Sequence, residues 1–366
     1  MLKRIYIDNY KIFVNFSLDF KQSNLLLGEN GSGKTTLFEV VNKLKEFVID
    51  NKRVEEIFKI HTLTRWQTVP LQRFELMFED GEALYTYKCC IKYDSNRQIC
   101  KLHDESLEHN QQPLFKFYID EKNTSHAKLY NDQYQEGPEL PFGWSQSGVG
   151  YVQARPDNNK LTRFKQLLAQ CLVIQMIPSK MSVFSEKEEE YPDCNVSNYV
   201  NWYRYLSQDT EQVLKLVTAL REVLPNFDNF KLETEGGAKT LWLRFKTKSV
   251  NYSCRFDELS DGQRSLCVLY TLVYGLSEHY TLCIDEPENF LALREINPWL
   301  NTCYDEWHGQ LLLTSHHPTL INNFVAHQAN WFSRQEDFHT RVQEITEVAD
   351  TTGISRAELV ERGWLL

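Results

Sequence analysis

The 366-residue sequence has no apolar run approaching the ~18 residues that a bilayer-spanning helix needs, which argues against a helical membrane anchor. Its opening, MLKRIYIDNYK, lacks the apolar segment of a secretory leader, so the chain is expected to be cytoplasmic. Nine cysteines contain no CxxC pair: Cys89 and Cys90 are adjacent and the others are scattered. No zinc hook or ribbon fits that spacing, and an odd count argues against a disulfide framework. They read as small buried apolar residues. Positive charge is also scarce. Forty Lys and Arg against 50 Asp and Glu leave a net charge of −10, so the molecule as a whole repels phosphate backbones. KLTRFK (160–165) and RFKTK (244–248) are the candidate basic patches for a nucleic acid, and short runs of this kind are ordinarily solvated faces. No heptad run is long enough for an extended coiled coil, and no internal repeat is visible.

What is present is a chain long enough for one large core or two modest lobes. Residues 3–9 and 16–20 alternate apolar and polar side chains as half-buried strands do, and Leu25–Leu27 reads as a fully buried strand. Helical spacing follows from Thr35 to Ile49. Between about 73 and 130 the period returns to two, with Asp-Gly, Asp-Ser-Asn and Asn-Gln-Gln turns, which predicts an antiparallel sheet. RFKQLLAQCLVIQ (163–175) and the stretch 209–223 have apolar spacings of three and four and are expected to be helices. The acidic run EKEEEYPD (186–193) reads as a solvated loop, and Gly236-Gly237 as the turn of a hairpin. After that come a helix near 262–276, the strand TLCID, a helix near 291–306, the strand LLLTS and a short helical tail. This alternation predicts a mostly parallel sheet covered by helices.

Between the apolar strand and the first helix stands GENGSGKTT: Gly28, Glu29, Asn30, Gly31, Ser32, Gly33, Lys34, Thr35 and Thr36. The spacing GxxxxGK[ST] between a strand and a helix is that of a phosphate-binding loop. Glycines let the backbone curl its N–H groups onto phosphate oxygens, and the helix start adds positive potential. Lys34 suits the β and γ phosphates, and the Thr35 hydroxyl suits Mg2+. The bland alternative is a flexible Gly-Ser turn. Downstream, TLCIDEPEN (281–289) ends a strand in Asp285, a candidate for the metal's coordination sphere. Glu286 follows as a candidate to orient or deprotonate an attacking water. In isolation an Asp-Glu pair there is ordinarily a helix cap. Ser260, Asp261, Gly262 and Gln263 stand at a helix start, where free N–H groups gather, and a plain N-cap explains them equally well. LLLTSHHP places Ser315, His316 and His317 at the end of another strand, where a neutral imidazole could hydrogen-bond a γ-phosphate or its attacking water, although a lone histidine there is more often structural.

The order of these elements resembles the ABC-type ATPases, in particular the soluble branch that contains the SMC, RecF and OLD-like proteins. The resemblance covers about 1–48 and 255–325. It implies an α/β P-loop NTPase fold of the ABC head type: a mixed sheet, an antiparallel β subdomain and a helical lobe. The expected division is 1–155 as a first lobe, 156–235 as a helical insertion and 236–366 as a second lobe. Residue by residue, it implies that Lys34 and Thr35 are the Walker A lysine and metal-binding hydroxyl. Asp285 would be the Walker B aspartate, Glu286 the catalytic glutamate and His316 the switch histidine. Residues 28–36 would hold ATP, with Thr35, Asp285 and a Q-loop glutamine, assigned to Gln153 with Gln146, Gln166 and Gln170 nearby, around Mg2+. Ser260, Asp261, Gly262 and Gln263 match the signature loop that touches ATP bound to a second subunit, with Asp261 replacing the glycine of transporters. Glu288 and Asn289 would lie in the dimer-contacting D-loop.

The implied function is a Mg-ATP-hydrolysing ATPase that closes as a head-to-tail homodimer, or a higher homo-oligomer, around ATP. Residues 317–366 are too few for the Toprim nuclease domain of OLD-like proteins. A separately encoded effector, a nuclease or toxin, is therefore expected, in anti-phage defence and without a membrane. The alternatives are a RecF/SMC-like repair ATPase that clamps DNA and an ATP-dependent scaffold or toxin-neutralising module with little turnover.

Overall fold

In a computed structural model of the chain, residues 1–345 and 358 are described apart from 95–96, 123, 141, 325–327 and 335–338. The N-terminal strand Leu2–Asp8 alternates buried and exposed side chains, as a sheet with one wet face requires. It pairs antiparallel with Phe16–Asp19 on one side and Leu71–Asp80 on the other. Five more antiparallel strands complete an eight-stranded sheet: Ala83–Asp94, Ile99–His109, Gln112–Ile119, Ser125–Tyr130 and Glu136–Leu140. Its apolar face shares a core with the helix Lys34–Val48, which buries Leu37, Phe38, Val41, Leu44 and Val48.

A second, six-stranded sheet lies at the centre of the molecule. Its order is Cys171–Ile174, Thr281–Asp285, Gln310–Ser315, Ser23–Gly28, Ala329–Arg334 and Thr340–Glu344. The first five strands are parallel and the last is antiparallel. Thr281–Asp285 and Gln310–Ser315 are buried along their whole length, which explains their unbroken apolar character. Alternate residues feed two different cores. Leu26, Val173, Cys283 and Leu312 face the core of the eight-stranded sheet. Leu25, Leu27, Ile284 and Leu313 face a second core built from the helices Tyr199–Leu206, Thr210–Val223, Asp261–Gly275 and Leu293–Glu306. A four-stranded antiparallel sheet closes that second core with Leu241, Leu243 and Phe245.

Three expectations are corrected. RFKQLLAQCLVIQ is not one helix: the helix Asn159–Ala169 stops and Cys171–Ile174 enters the central sheet beside Thr281–Asp285. A run of four apolar residues has no period to separate a buried strand from a buried helix, so the adjoining helical pattern had absorbed it. The stretch 156–235 is accordingly no purely helical insertion, since it supplies that strand and also Phe227–Glu235 of the hairpin that turns at Gly236. The tail also differs. After the short 3-10 turn Pro318–Asn323 it contributes Ala329–Arg334 and Thr340–Glu344, the first of them parallel to Ser23–Gly28.

The two sheets are joined through Gln310, which is 3% exposed. Its carboxamide oxygen accepts from the Leu2 N–H and the Thr281 hydroxyl, and its nitrogen donates to the carbonyls of Leu2 and Lys21. Gln310→Leu keeps the volume but strands these buried groups. The expected outcome in urea denaturation is a loss of about 2–4 kcal/mol.

Candidate functional site

The carboxyl ends of the parallel strands bring Gly28, Ile174, Asp285 and Ser315 to one rim of the central sheet, where open α/β sheets bind ligands. The register sets Asp285 beside Thr314 and Ser315 beside Leu27. At Gly28, φ is 146° and an added Cβ would lie 2.1 Å from the Phe332 carbonyl oxygen, so no other residue fits there. Gly31 and Gly33 also have positive φ, and Gly33 caps the helix Lys34–Val48 with no side chain bonded to its first N–H groups. Those groups are thus available to an anion. Lys34 is 5% exposed, and its ammonium donates to the carbonyls of Gly28 (2.7 Å) and Glu29 (3.1 Å). Burial lowers its pKa, against the field of Glu286, Asp285 and Glu288. The Ser32 hydroxyl is buried without a hydrogen-bond partner, an orphan donor inside the loop.

Asp285 is 7% exposed and gathers three neighbours. Its Oδ1 accepts from the Thr314 hydroxyl (2.5 Å) and the Thr35 hydroxyl (3.1 Å), and its Oδ2 accepts from the Gln175 side chain (3.3 Å). Burial pushes its pKa upward, while the two hydroxyls oppose the shift. Glu286 has φ 49°, uncommon for a residue with a side chain, and two contacts hold it there. Its N–H donates to the Thr314 hydroxyl (3.0 Å), and its Oε2 accepts from the Asn289 side chain (2.9 Å). His316 Nδ1 is 3.4 Å from Glu286 Oε1. Glu288, expected to contact a second copy, turns its carboxylate inward: it is 7% exposed and accepts from the Ser315 hydroxyl.

Lys34, Thr35, Asp285, Glu286 and His316 therefore converge. Gln153 does not. It is exposed and lies beside Ile49 at the far end of the P-loop helix, whose 15 residues span ~22 Å. The glutamine at Asp285 is Gln175, which leaves the strand Cys171–Ile174 directly alongside Thr281–Asp285. Its sequence signal was CLVIQ, an apolar strand ending in a carboxamide, hidden by the helical reading. Ser260 caps the helix Asp261–Gly275: its hydroxyl accepts from the Gln263 N–H, and the Gln263 side chain accepts from the Ser260 N–H. The Arg264 guanidinium donates to Asp261 and to the Pro178 carbonyl. Among the described residues, no hydrogen bond joins Ser260, Asp261, Gly262 or Gln263 to the P-loop, Asp285 or Glu286. Gly262 lies against the loop that follows Asp285, where an added Cβ would come 2.8 Å from the Phe290 carbonyl oxygen.

A hydroxyl, a carboxylate and a carboxamide at one point are oxygen ligands suited to Mg2+. Among the described residues no three His, Cys, Asp or Glu side chains form a metal cage. Mg2+ asks for none, since it keeps waters and takes phosphate oxygens beside one or two carboxylates.

Two family models match the chain. Residues 251–322 match one described as "AAA domain, putative AbiEii toxin, Type IV TA system", and residues 4–42 match one described as "AAA domain". No curated protein matches the sequence. Among solved structures, the chain is similar to an Smc head bound to the C-terminal winged-helix domain of ScpA. The TM-score is 0.54 at 10% identity, covering 96% of this chain and 99% of that one. It is also similar to an Smc head domain with an extended coiled coil bound to the C-terminal domain of ScpA, from Pyrococcus furiosus. There the TM-score is 0.50 at 10% identity, covering 93% and 95%. The fold is that of an SMC-head P-loop ATPase.

The geometry separates the two glutamines experimentally. Gln175→Ala is expected to weaken Mg2+-dependent binding of a non-hydrolysable ATP analogue about tenfold or more by calorimetry, with Gln153→Ala unchanged.

Proposed function

We propose that this chain binds and hydrolyses ATP with Mg2+, closes head-to-tail with a second copy of itself, and drives a separate effector protein. The observation that carries the reading is the meeting of Lys34, Thr35, Gln175, Asp285, Glu286 and His316 at one rim of the central sheet. Residues 28–36 cradle the phosphates with backbone N–H groups and the helix start, and the Lys34 ammonium exchanges its carbonyl partners for β and γ oxygens. Thr35, Asp285 and Gln175 would hold Mg2+, which when bound neutralises phosphate charge. Glu286, held by Asn289 and Thr314, accepts the proton of the attacking water, and His316 orients that water or the γ-phosphate. Ser260, Asp261, Gly262 and Gln263 form a capped helix start available to the nucleotide of the second copy. ATP then acts as a ligand of the closed pair, and its hydrolysis removes the γ-phosphate that favours closure.

The effector and the anti-phage role rest on the resemblance to soluble relatives and on the toxin–antitoxin description of the model matching 251–322. That both similar Smc heads are bound to a domain of ScpA supports a protein partner.

Glu286→Gln is expected to lower phosphate release about a hundredfold or more. It should retain ATP and run as a dimer in light scattering, whereas Lys34→Ala should bind no nucleotide and stay monomeric. A monomeric Glu286→Gln protein in excess Mg-ATP would overturn the paired arrangement. Wild-type protein that binds ATP without releasing phosphate would favour the scaffold instead.

A further inference from the structure

The loop Asp285–Asn289 reaches His316 by two routes, and only the one through Glu286 belongs to the reading above. The other starts at Glu288. Its carboxylate is buried, with Oε2 lacking any hydrogen-bond partner and Oε1 accepting from the Ser315 hydroxyl (2.5 Å). A half-satisfied buried carboxylate is destabilising, and burial accordingly pushes its pKa upward. Ser315 is the last residue of the strand Gln310–Ser315, and its Oγ also accepts the His317 N–H (2.8 Å). Carboxylate, hydroxyl and amide thus form one chain that closes the turn in which His316 leaves the sheet. The same carboxylate faces the imidazole itself, with His316 Nδ1 3.9 Å from Glu288 Oε1 and 3.4 Å from Glu286 Oε1. The next residue, Asn289, holds Glu286. Beyond it the loop runs to Phe290, which is 54% exposed with φ 70° and packs its carbonyl against Gly262.

We propose that Glu288 is a positioning residue for His316. From its buried seat it fixes the histidine turn through Ser315, and it ties that pose to the loop carrying Asn289 and Phe290 toward the signature helix. A loop displaced at Phe290 therefore displaces His316. This rests on the ATPase reading for its consequence in turnover, and on local geometry alone for its consequence in the apo protein. A misplaced reacting group is enough to slow a step by one to two orders of magnitude.

Two measurements test it. In nucleotide-free protein, amide hydrogen exchange at His317 is expected to run about five- to tenfold faster in Glu288→Ala and in Ser315→Ala than in wild type. In turnover, each variant is expected to lower kcat about tenfold, with KM for ATP within about twofold. Glu288→Ala combined with His316→Ala should be no slower than His316→Ala alone. Unchanged His317 exchange, or losses that multiply in the double variant, would overturn the proposal. Ser315→Ala is the smaller change and carries the same exchange and turnover expectations should Glu288→Ala fail to fold. Wild-type protein with no ATPase activity would count against the proposed function and leave the exchange result to decide the role of Glu288.

Discussion

The rim of the central sheet depends on the carboxylate of Asp285. A buried anion needs its hydrogen bonds, and these come from three separate parts of the chain: the P-loop helix through Thr35, the neighbouring strand through Thr314, and the strand-end loop through Gln175. Each donor reaches Asp285 only because the parallel strands are in register, Ile284 beside Ile174 and Asp285 beside Thr314. A slip of one residue would turn Asp285 toward the opposite core and bring an apolar side chain to the rim. Register here is set by two apolar faces at once, since alternate residues of the same strands fill two cores.

The same register places the Thr314 hydroxyl where it also holds Glu286. A side-chain-bearing residue at positive φ is strained, and such strain persists where the surroundings over-determine it. The Thr314 hydroxyl serves both residues, donating to Asp285 and accepting from the Glu286 N–H. One strand residue, Thr314, therefore sets the Asp285 carboxylate and the Glu286 backbone in a fixed relation. The glycines act at the same scale: Gly28 is required by the Phe332 carbonyl oxygen, not by flexibility.

The residues whose chemistry demands a fixed type and spacing could be read from the sequence. The glycine-rich loop, the Asp-Glu pair and the histidine after LLLTS all stand where strands end, and strands with polar termini are easily recognised. The antiparallel sheet was legible because its one wet face writes a period of two. Cys171–Ile174 was not legible, because a strand buried on both faces has no alternation, and it follows a helix after a single residue, Gln170. Without that strand Gln175 has no visible tie to Asp285, whereas Gln153, at the other end of the P-loop helix, stands in a more conspicuous stretch. The inward turn of Glu288 lay beyond any pattern, since it is decided by Ser315, 27 positions along the chain.

The contact between Gly262 and the Phe290 carbonyl has a mechanical meaning. With no space for even a methyl group between them, the helix tip and the loop share one outline. Neither part can move toward the other without displacing it, so the two present one continuous surface to whatever meets them.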